Sequence, residues 1–149
     1  MKDPGNLQTF EIARCFCSIG KIIYRQTNDL NKALMYFREG RLIAPDVLDN
    51  YLAAAELYYN NKNYKLALMV TQEGLKNANT ARWCTSYDPE SYIPYWFLGM
   101  SNYFLGNYIE GFGYMKIAEI KNPTPDINYL CNMMADEIIN NPKKIMERN

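Results

Sequence analysis

The chain has 149 residues, the size of one domain, and its 16 Lys and Arg balance 16 Asp and Glu. With a formal net charge of zero, it lacks the long-range attraction that draws proteins to nucleic acid. No apolar run approaches the roughly 20 residues of a membrane span, and the opening Met-Lys-Asp-Pro-Gly breaks any secretory signal. We therefore expect a cytoplasmic protein without a membrane span or a nucleic-acid partner.

The composition also argues against catalysis. The chain contains no histidine, so the usual general base near neutral pH and a common metal ligand are both missing. On a helix Cys15 and Cys17 lie about 200° apart, which separates them as ligands. We expect all four cysteines to be reduced and apolar in role: Cys15, Cys17, Cys84 and Cys131. We predict no catalytic residue, no metal and no cofactor.

Apolar residues at helical spacing predict four helices in the first half of the chain, over 7–26, 30–43, 47–60 and 64–77. Pro45 stops the second helix, and Asp46 is the predicted N-cap of the third. Asp46 and Asp49 are one turn apart and so could share a cation. An N-cap and an exposed first-turn acid are the simpler interpretation.

The connection 79–88 carries Trp83, Cys84 and Tyr87, which makes it unusually apolar, and residues 88–90 have the pattern of a helix start. The segment 92–123 then predicts two short helices with a tight turn at Gly106-Asn107-Tyr108. A Gly-Asn pair stops a helix and suits a left-handed turn.

A last helix is predicted over 127–140, capped by Asp126, followed by a short tail at 143–149. The apolar residues at helical spacing are Ile127, Leu130, Cys131, Met134 and Ile138. The residues turned outward are Asn128, Asn132, Asp136 and Glu137. One apolar and one polar side suit a terminal cap on a helical stack.

The helical pattern repeats along the chain. Three residues recur at a spacing of 34, with Tyr24, Ala33 and Gly40 followed by Tyr58, Ala67 and Gly74. A spacing of 44 then relates the second unit to the third, pairing Tyr64 with Tyr108, Ala67 with Gly111 and Gly74 with Ala118. One helical hairpin cannot bury its own apolar surface, so such copies are expected to stack.

A 34-residue helical hairpin with these residues resembles the tetratricopeptide repeat. The third unit matches it best, through Tyr95, Leu98-Gly99, Ala118 and Pro123, although Asn102 and Gly111 depart from the pattern. The resemblance implies one all-α domain over 1–149, a solenoid of three repeats with an inserted loop and a capping helix. The repeats are expected at about 14–47, 48–81 and 92–125, the loop at 79–88 and the capping helix at about 127–140.

In such a stack the first helix of each unit lines the concave side, and in the third unit this face is almost wholly apolar and aromatic. The predicted partner-binding residues are Ile93, Trp96, Phe97, Met100, Tyr103 and Phe104, extended by Tyr59 and Ile22. The alternative is that the aromatic residues are core, packed against the capping helix or under the Trp83 loop.

Repeats resembling the co-chaperone type hold a carboxylate-ended peptide with lysine, arginine and asparagine at fixed positions. The matching residues here are Ser18, Ile22, Ala53, Ile93 and Phe97, none of which is charged. The expected partner is therefore an apolar or helical protein segment, or a second copy of the chain.

A narrower resemblance is carried by the runs 86–95, 105–108 and 117–123, which look like the helical tail of some bacterial family-two glycosyltransferases. The catalytic half of such enzymes, with its Asp-x-Asp motif, has no counterpart here. We predict a non-catalytic scaffold for protein–protein interaction or self-association. The alternative is an accessory tail that positions an acceptor or dimerises a glycosyltransferase.

Overall fold

The computed structural model describes residues 4–78 and 91–141, with side chains from Gln8 onward. These parts of the chain form seven α-helices and no strand. The helices are α1 Pro4–Thr27, α2 Leu30–Ile43, α3 Asp49–Asn60, α4 Tyr64–Asn77, α5 Ile93–Phe104, α6 Tyr108–Lys121 and α7 Pro125–Asn140. The predicted loop with Trp83, the helix start at 88–90 and the tail at 143–149 lie outside the described residues.

The helices pair as three hairpins, α1 with α2, α3 with α4 and α5 with α6, and α7 packs chiefly against α6. The second helices α2, α4 and α6 each have 14 residues and begin at Leu30, Tyr64 and Tyr108, which preserves both spacings found in the sequence. The all-α repeat stack predicted from the sequence is confirmed.

Each hairpin turns at one left-handed residue: Asn28 with φ 56°, Lys62 with φ 62° and Gly106 with φ 84°. At Gly106 two backbone bonds close the end of α5, from Gly106 N–H to the Tyr103 carbonyl and from Asn107 N–H to the Asn102 carbonyl. The predicted left-handed turn is confirmed. Lys62 is the costly member of this series, because glycine adopts positive φ freely and asparagine tolerates it better than lysine does.

The predicted caps of two helices are wrong. Helix α3 begins at Asp49 after Leu48, and not at 47 after Asp46, because the connection places Val47 and Leu48 in the core at 1% exposure each. Asp49 is buried rather than exposed. Helix α7 begins two residues early, at Pro125, because the Thr124 side chain accepts the Ile127 N–H at 3.3 Å and so supplies the cap expected from Asp126.

The buried residues form two main clusters. The larger one joins the first two hairpins and contains Phe37, Leu48, Tyr51 and Leu52, with Phe97 of α5. The second lies at the C-terminal end, where Met100 and Met115 meet Ile127, Cys131 and Met134 of α7. Tyr59 and Trp96 pack against both clusters.

Small residues set how closely the paired helices approach. A Cβ on Gly111 of α6 would lie 2.8 Å from the Gly99 carbonyl oxygen of α5, so these two backbones touch with no side chain between them. This contact explains why glycine stands at 111, where the other hairpins have alanine. A Cβ on Gly113, two residues later, would meet nothing within 4 Å, so that position faces away from α5.

Candidate protein-binding surface

The six candidate residues of the third unit all lie on α5, and the structure divides them by depth. Phe97 and Met100 are buried, at 8% and 6% exposure. Ile93, Trp96 and Tyr103 are half-buried, and Phe104 at the end of the helix is 47% exposed. Phe97 and Met100 therefore support this surface from below, while Trp96, Tyr103 and Phe104 form its outer part.

An aromatic cluster connects α5 to the second hairpin. The Tyr59 ring lies 5.1 Å from Trp96, 6.0 Å from Phe97 and 6.1 Å from Phe104, measured between centroids. Phe104 stacks on Tyr64 of α4 at 4.5 Å with the ring planes 14° apart. Such pairs add about 0.5–1.5 kcal/mol beyond the area they bury. The aromatic residues thus pack against the second hairpin, and Trp96 and Tyr103 also pack against the C-terminal cluster, which contains Met100 and residues of α7.

Tyr64 is the member of this cluster that the sequence analysis missed. It is the first residue of α4, and its ring also lies 5.5 Å from Tyr59. The spacing of 44 in the sequence aligns Tyr64 with Tyr108, which opens the second helix of the third hairpin. In the structure the Tyr108 ring lies 5.4 Å from Tyr103, as the Tyr64 ring lies near Tyr59. An aromatic residue that opens the second helix packs beside the last turn of a first helix.

Ile22, the candidate on the first hairpin, is not part of the aromatic cluster. It lies on α1, which packs on α2 and α3, so α3 stands between it and α5. Ile22 is 44% exposed, and its neighbour on the same face, Ile19, is 41% exposed. The candidate residues therefore form two apolar areas, one on α1 and one at the end of α5.

A pocket of charged and apolar groups lies between α1 and α3. It has a volume of about 310 Å³, and its lining includes Arg25, Phe37, Ala53, Glu56 and Asn60. Arg25 and Glu56 are both exposed, so the charged side chains stand at the rim while the apolar ones form the floor. Lys21 also lines the pocket, which therefore has two basic side chains and one acidic side chain in its lining.

Burial changes the ionisation of several side chains among the described residues. Burial raises the pKa of the Cys17 thiol to about 11, and burial likewise raises the pKa of Cys131 to about 11, so both thiols are protonated near neutral pH. Burial is the main cause that raises the pKa of Tyr59, and the neighbouring Tyr64 raises it further. Cys15 is exposed and Cys17 buried, as their spacing on one helix predicted.

Within residues 4–78 and 91–141, no group of three or more acidic or cysteine side chains is placed to hold a metal ion. No helix in the described part is long and apolar enough to cross a membrane. The two acids one turn apart, Asp46 and Asp49, differ in solvent exposure. Asp49 is buried at 4% exposure, whereas Asp46 is half-buried.

Solved structures share this architecture. The first tetratricopeptide-repeat domain of Spaghetti (RPAP3), bound to the HSP90 peptide SRMEEVD, matches with a TM-score of 0.73 at 12% identity, over 87% of this chain and 94% of that one. MamA from Desulfovibrio magneticus RS-1 matches with a TM-score of 0.67 at 17% identity, over 91% of this chain and 72% of that one. The chain has the fold of a tetratricopeptide-repeat stack. No protein-family model and no curated relative matches the sequence.

The five positions that the sequence analysis matched to the carboxylate clamp of co-chaperone-type repeats carry no charge. Ser18 and Ile22 are exposed, Ile93 is half-buried, and Ala53 and Phe97 are buried. These side chains offer neither a cation nor a fork of donors to a carboxylate. The fold is shared with a peptide-binding domain, whereas the residues at these five positions have a different chemistry.

Proposed function

We propose that this protein is a non-catalytic scaffold that contacts another protein through the outer part of the α5 surface. The observation that carries the proposal is Phe104, which is 47% exposed although it is a large aromatic residue on a well-packed helix. Its neighbours Trp96, Tyr103 and Tyr59 are half-buried around it. Aromatic side chains held rigidly in this way supply most of the binding energy at protein interfaces.

The proposed contact combines exposed and supporting residues. Trp96, Tyr103, Phe104 and Tyr59 touch the partner, with Ile93 at the rim, while Phe97 and Met100 hold the ring positions from below. Ile22 joins the contact only when the partner is long enough to cross α3 and reach α1. An apolar helical segment fits these requirements, since it presents apolar side chains along one face at matching intervals. Self-association through the same surface is the second form of contact that we propose.

The test compares substitutions on this surface with a matched control elsewhere. Trp96→Ala combined with Phe104→Asp is expected to abolish self-association in sedimentation velocity, or the binding of a purified partner in a titration. Met69→Asp is the control, because Met69 lies on α4 and is 53% exposed, so it is as accessible as Phe104. Circular dichroism follows the helical content of each variant.

Equal loss of binding in the Met69 control would show that the effect is not local to α5. Loss of helical content in the Trp96 and Phe104 variant would show that the cluster is needed for folding, and would remove the reason to assign it to a partner. Retained binding in a folded variant would also contradict the proposal.

An accessory role beside a glycosyltransferase is the alternative, and it rests on the sequence runs 86–95, 105–108 and 117–123. It predicts that the chain binds a separately expressed family-two catalytic domain and increases its use of acceptor. A general scaffold would leave such a domain unbound in the same pull-down. The two proposals are therefore separated by one experiment.

A further inference from the structure

Helix α1 carries a row of accessible apolar residues at heptad spacing, which we name the α1 stripe. Its members are Ile12, Cys15, Ile19 and Ile22, which follow one another at intervals of three, four and three positions. The three isoleucines are 40–44% exposed, and Cys15 is exposed as well. Because α1 packs on α2 and α3, the stripe lies on the side of α1 that is turned away from these two helices.

The positions of the α1 stripe are buried in the later hairpins. Ile19 aligns with Ala53 at the spacing of 34, and Ala53 aligns with Phe97 at the spacing of 44. Ala53 is 2% exposed and lines the pocket between α1 and α3, and Phe97 is 8% exposed and contacts Tyr59 of α3. In the second and third hairpins this face therefore packs on the preceding hairpin. On α1 the same face is isoleucine-rich, and no described helix covers it.

The spacing of the α1 stripe suits a second copy of the same helix. The intervals of three, four and three are the same from either end of the stripe. An antiparallel copy therefore places Ile12 against Ile22 of that copy and Cys15 against Ile19 of that copy, and a two-fold axis repeats both contacts. All four side chains are uncharged, so the pairing buries no charge that lacks a partner.

The charges beside the stripe favour the antiparallel order. Glu11 and Arg25 are both exposed and lie about 40° apart around the helix, on one flank of the stripe. Glu11 is 4.0 Å from Arg14 of its own helix, an exposed pair that contributes little. In an antiparallel pair like flanks meet, so Glu11 comes within about one turn of Arg25 of the second copy. In a parallel pair this flank would meet the opposite one, which carries Phe16 and Ile23.

These observations point to one occupant of the stripe. The formal net charge of the chain is zero, so two copies do not repel each other at long range. We propose that the protein forms a homodimer in which two α1 helices pack antiparallel through the α1 stripe, with Glu11 paired to Arg25 of the second copy. Since α3 lies between α1 and α5, the α5 surface stays accessible to another protein in this dimer.

The first test removes the apolar contact. Ile19→Asp is expected to raise the dissociation constant of the dimer about 100-fold or more in sedimentation velocity, because it places a carboxylate against Cys15 of the second copy. Met35→Asp is the matched control, since Met35 is 66% exposed and lies on α2, outside the stripe. The control should dimerise as the wild type does. Circular dichroism follows the helical content of both variants.

The second test reverses the flanking charges. Glu11→Arg and Arg25→Glu should each weaken the dimer about tenfold, because each places like charges together at both symmetric contacts. The double variant should recover the wild-type dissociation constant, and an equimolar mixture of the two single variants should form a heterodimer. Glu39→Arg and Arg38→Glu on α2 are the controls, since both residues are exposed and the changes in net charge are the same. Neither the control variants nor their mixture should differ from the wild type.

The proposal is overturned by a wild-type chain that sediments as a monomer up to about 1 mM, or by a folded Ile19→Asp variant that dimerises normally. A double charge variant that is not restored, or a mixture without heterodimer, means that the helices do not pair antiparallel and also overturns it. Because Glu11 and Arg25 are exposed, the charge variants decide the matter if Ile19→Asp loses helical content.

The dimer is separable from the contacts of the α5 surface. Dimers formed through the α1 stripe should persist in the variant that combines Trp96→Ala and Phe104→Asp, whereas contacts of the α5 surface should be lost. Conversely, Ile19→Asp should leave the α5 surface able to bind. Loss of the dimer in the Trp96 and Phe104 variant, with full helical content, would place the contact on α5 and contradict the α1 proposal alone.

Discussion

Replacing Phe104 by alanine tests whether the end of α5 is surface or core. The side chain is 47% exposed, so about half of it is removed from water. Full burial of a phenylalanine is worth about 1.5–3 kcal/mol, so its buried half contributes about 0.8–1.5 kcal/mol. The stacking of Phe104 on the Tyr64 ring adds about 0.5–1.5 kcal/mol to this contribution to the free energy of unfolding. The higher helix propensity of alanine offsets a few tenths of a kcal/mol of the loss. We expect Phe104→Ala to lower the free energy of unfolding by about 2 kcal/mol.

Phe97→Ala is the matched comparison on the same helix. Phe97 is 8% exposed and belongs to the larger core cluster, so its truncation leaves a cavity and should cost about 3–5 kcal/mol. Urea denaturation followed by circular dichroism and tryptophan fluorescence measures both values. With a total stability of about 5–15 kcal/mol, the Phe104 variant stays folded and remains usable in binding assays.

A double-mutant cycle isolates the stacked pair. Tyr64→Leu combined with Phe104→Ala should show a coupling of about 0.5–1.5 kcal/mol, because the rings lie 4.5 Å apart and nearly parallel. A loss as large as that of Phe97→Ala would mean that Phe104 is core, and the argument from its exposure would fail. Zero coupling would mean that the two rings do not stack in solution.

Two further predictions concern backbone strain and pH. Lys62→Gly should raise the free energy of unfolding by about 0.5–1 kcal/mol, because Lys62 has φ 62° and glycine adopts that conformation without strain. Gly106→Ala should lower the free energy of unfolding by about 1 kcal/mol for the converse reason. Thermal or urea unfolding measures both changes, and a loss of stability in Lys62→Gly would contradict the argument. Burial raises the pKa of Cys17 from 9.0 in the unfolded chain to about 11 in the folded protein. Below pH 9 the thiol is protonated in both states, and the free energy of unfolding is unaffected by its titration. Above pH 9 the thiol ionises first in the unfolded chain, which stabilises that state and lowers the free energy of unfolding. We expect stability to fall between pH 9 and 11, by up to about 2–3 kcal/mol from this group, and to fall less in Cys17→Ala over the same interval; equal pH slopes for the two proteins would count against it.

The local parts of the fold follow from the sequence. α2 and α4 have the predicted bounds, because Asp29 and Asn63 cap them with side-chain acceptors and the periodicity inside them is regular. The left-handed turn at Gly106 also follows, since only glycine adopts that conformation at no cost. These features depend on residues a few positions apart, which a sequence displays directly.

Features set by contacts between hairpins do not follow in the same way. Val47 looks like the first residue of α3, yet it fills the core beside Phe10, Ala13 and Ala44 and delays the helix. The partners of Phe104 and Trp96 depend on how far one hairpin rotates on the next, so the contact with Tyr64 was not predictable from α5 alone. Six of the candidate residues lie on α5, whereas Tyr59 lies on α3 and Ile22 on α1. The depths of the α5 residues depend on the packing of α3 and α4, which the sequence does not display.

The position of Tyr59 and Trp96 between the two core clusters has a dynamic consequence. The first two hairpins share one cluster and the C-terminal helices another, so small bending of the stack is expected to concentrate where these two rings meet, 5.1 Å apart. A segment bound across this junction would restrain the angle between the two bodies as well as occupy a surface. Partner binding and the curvature of the solenoid would then be coupled, and an agent that stiffens the junction would alter affinity without touching the partner.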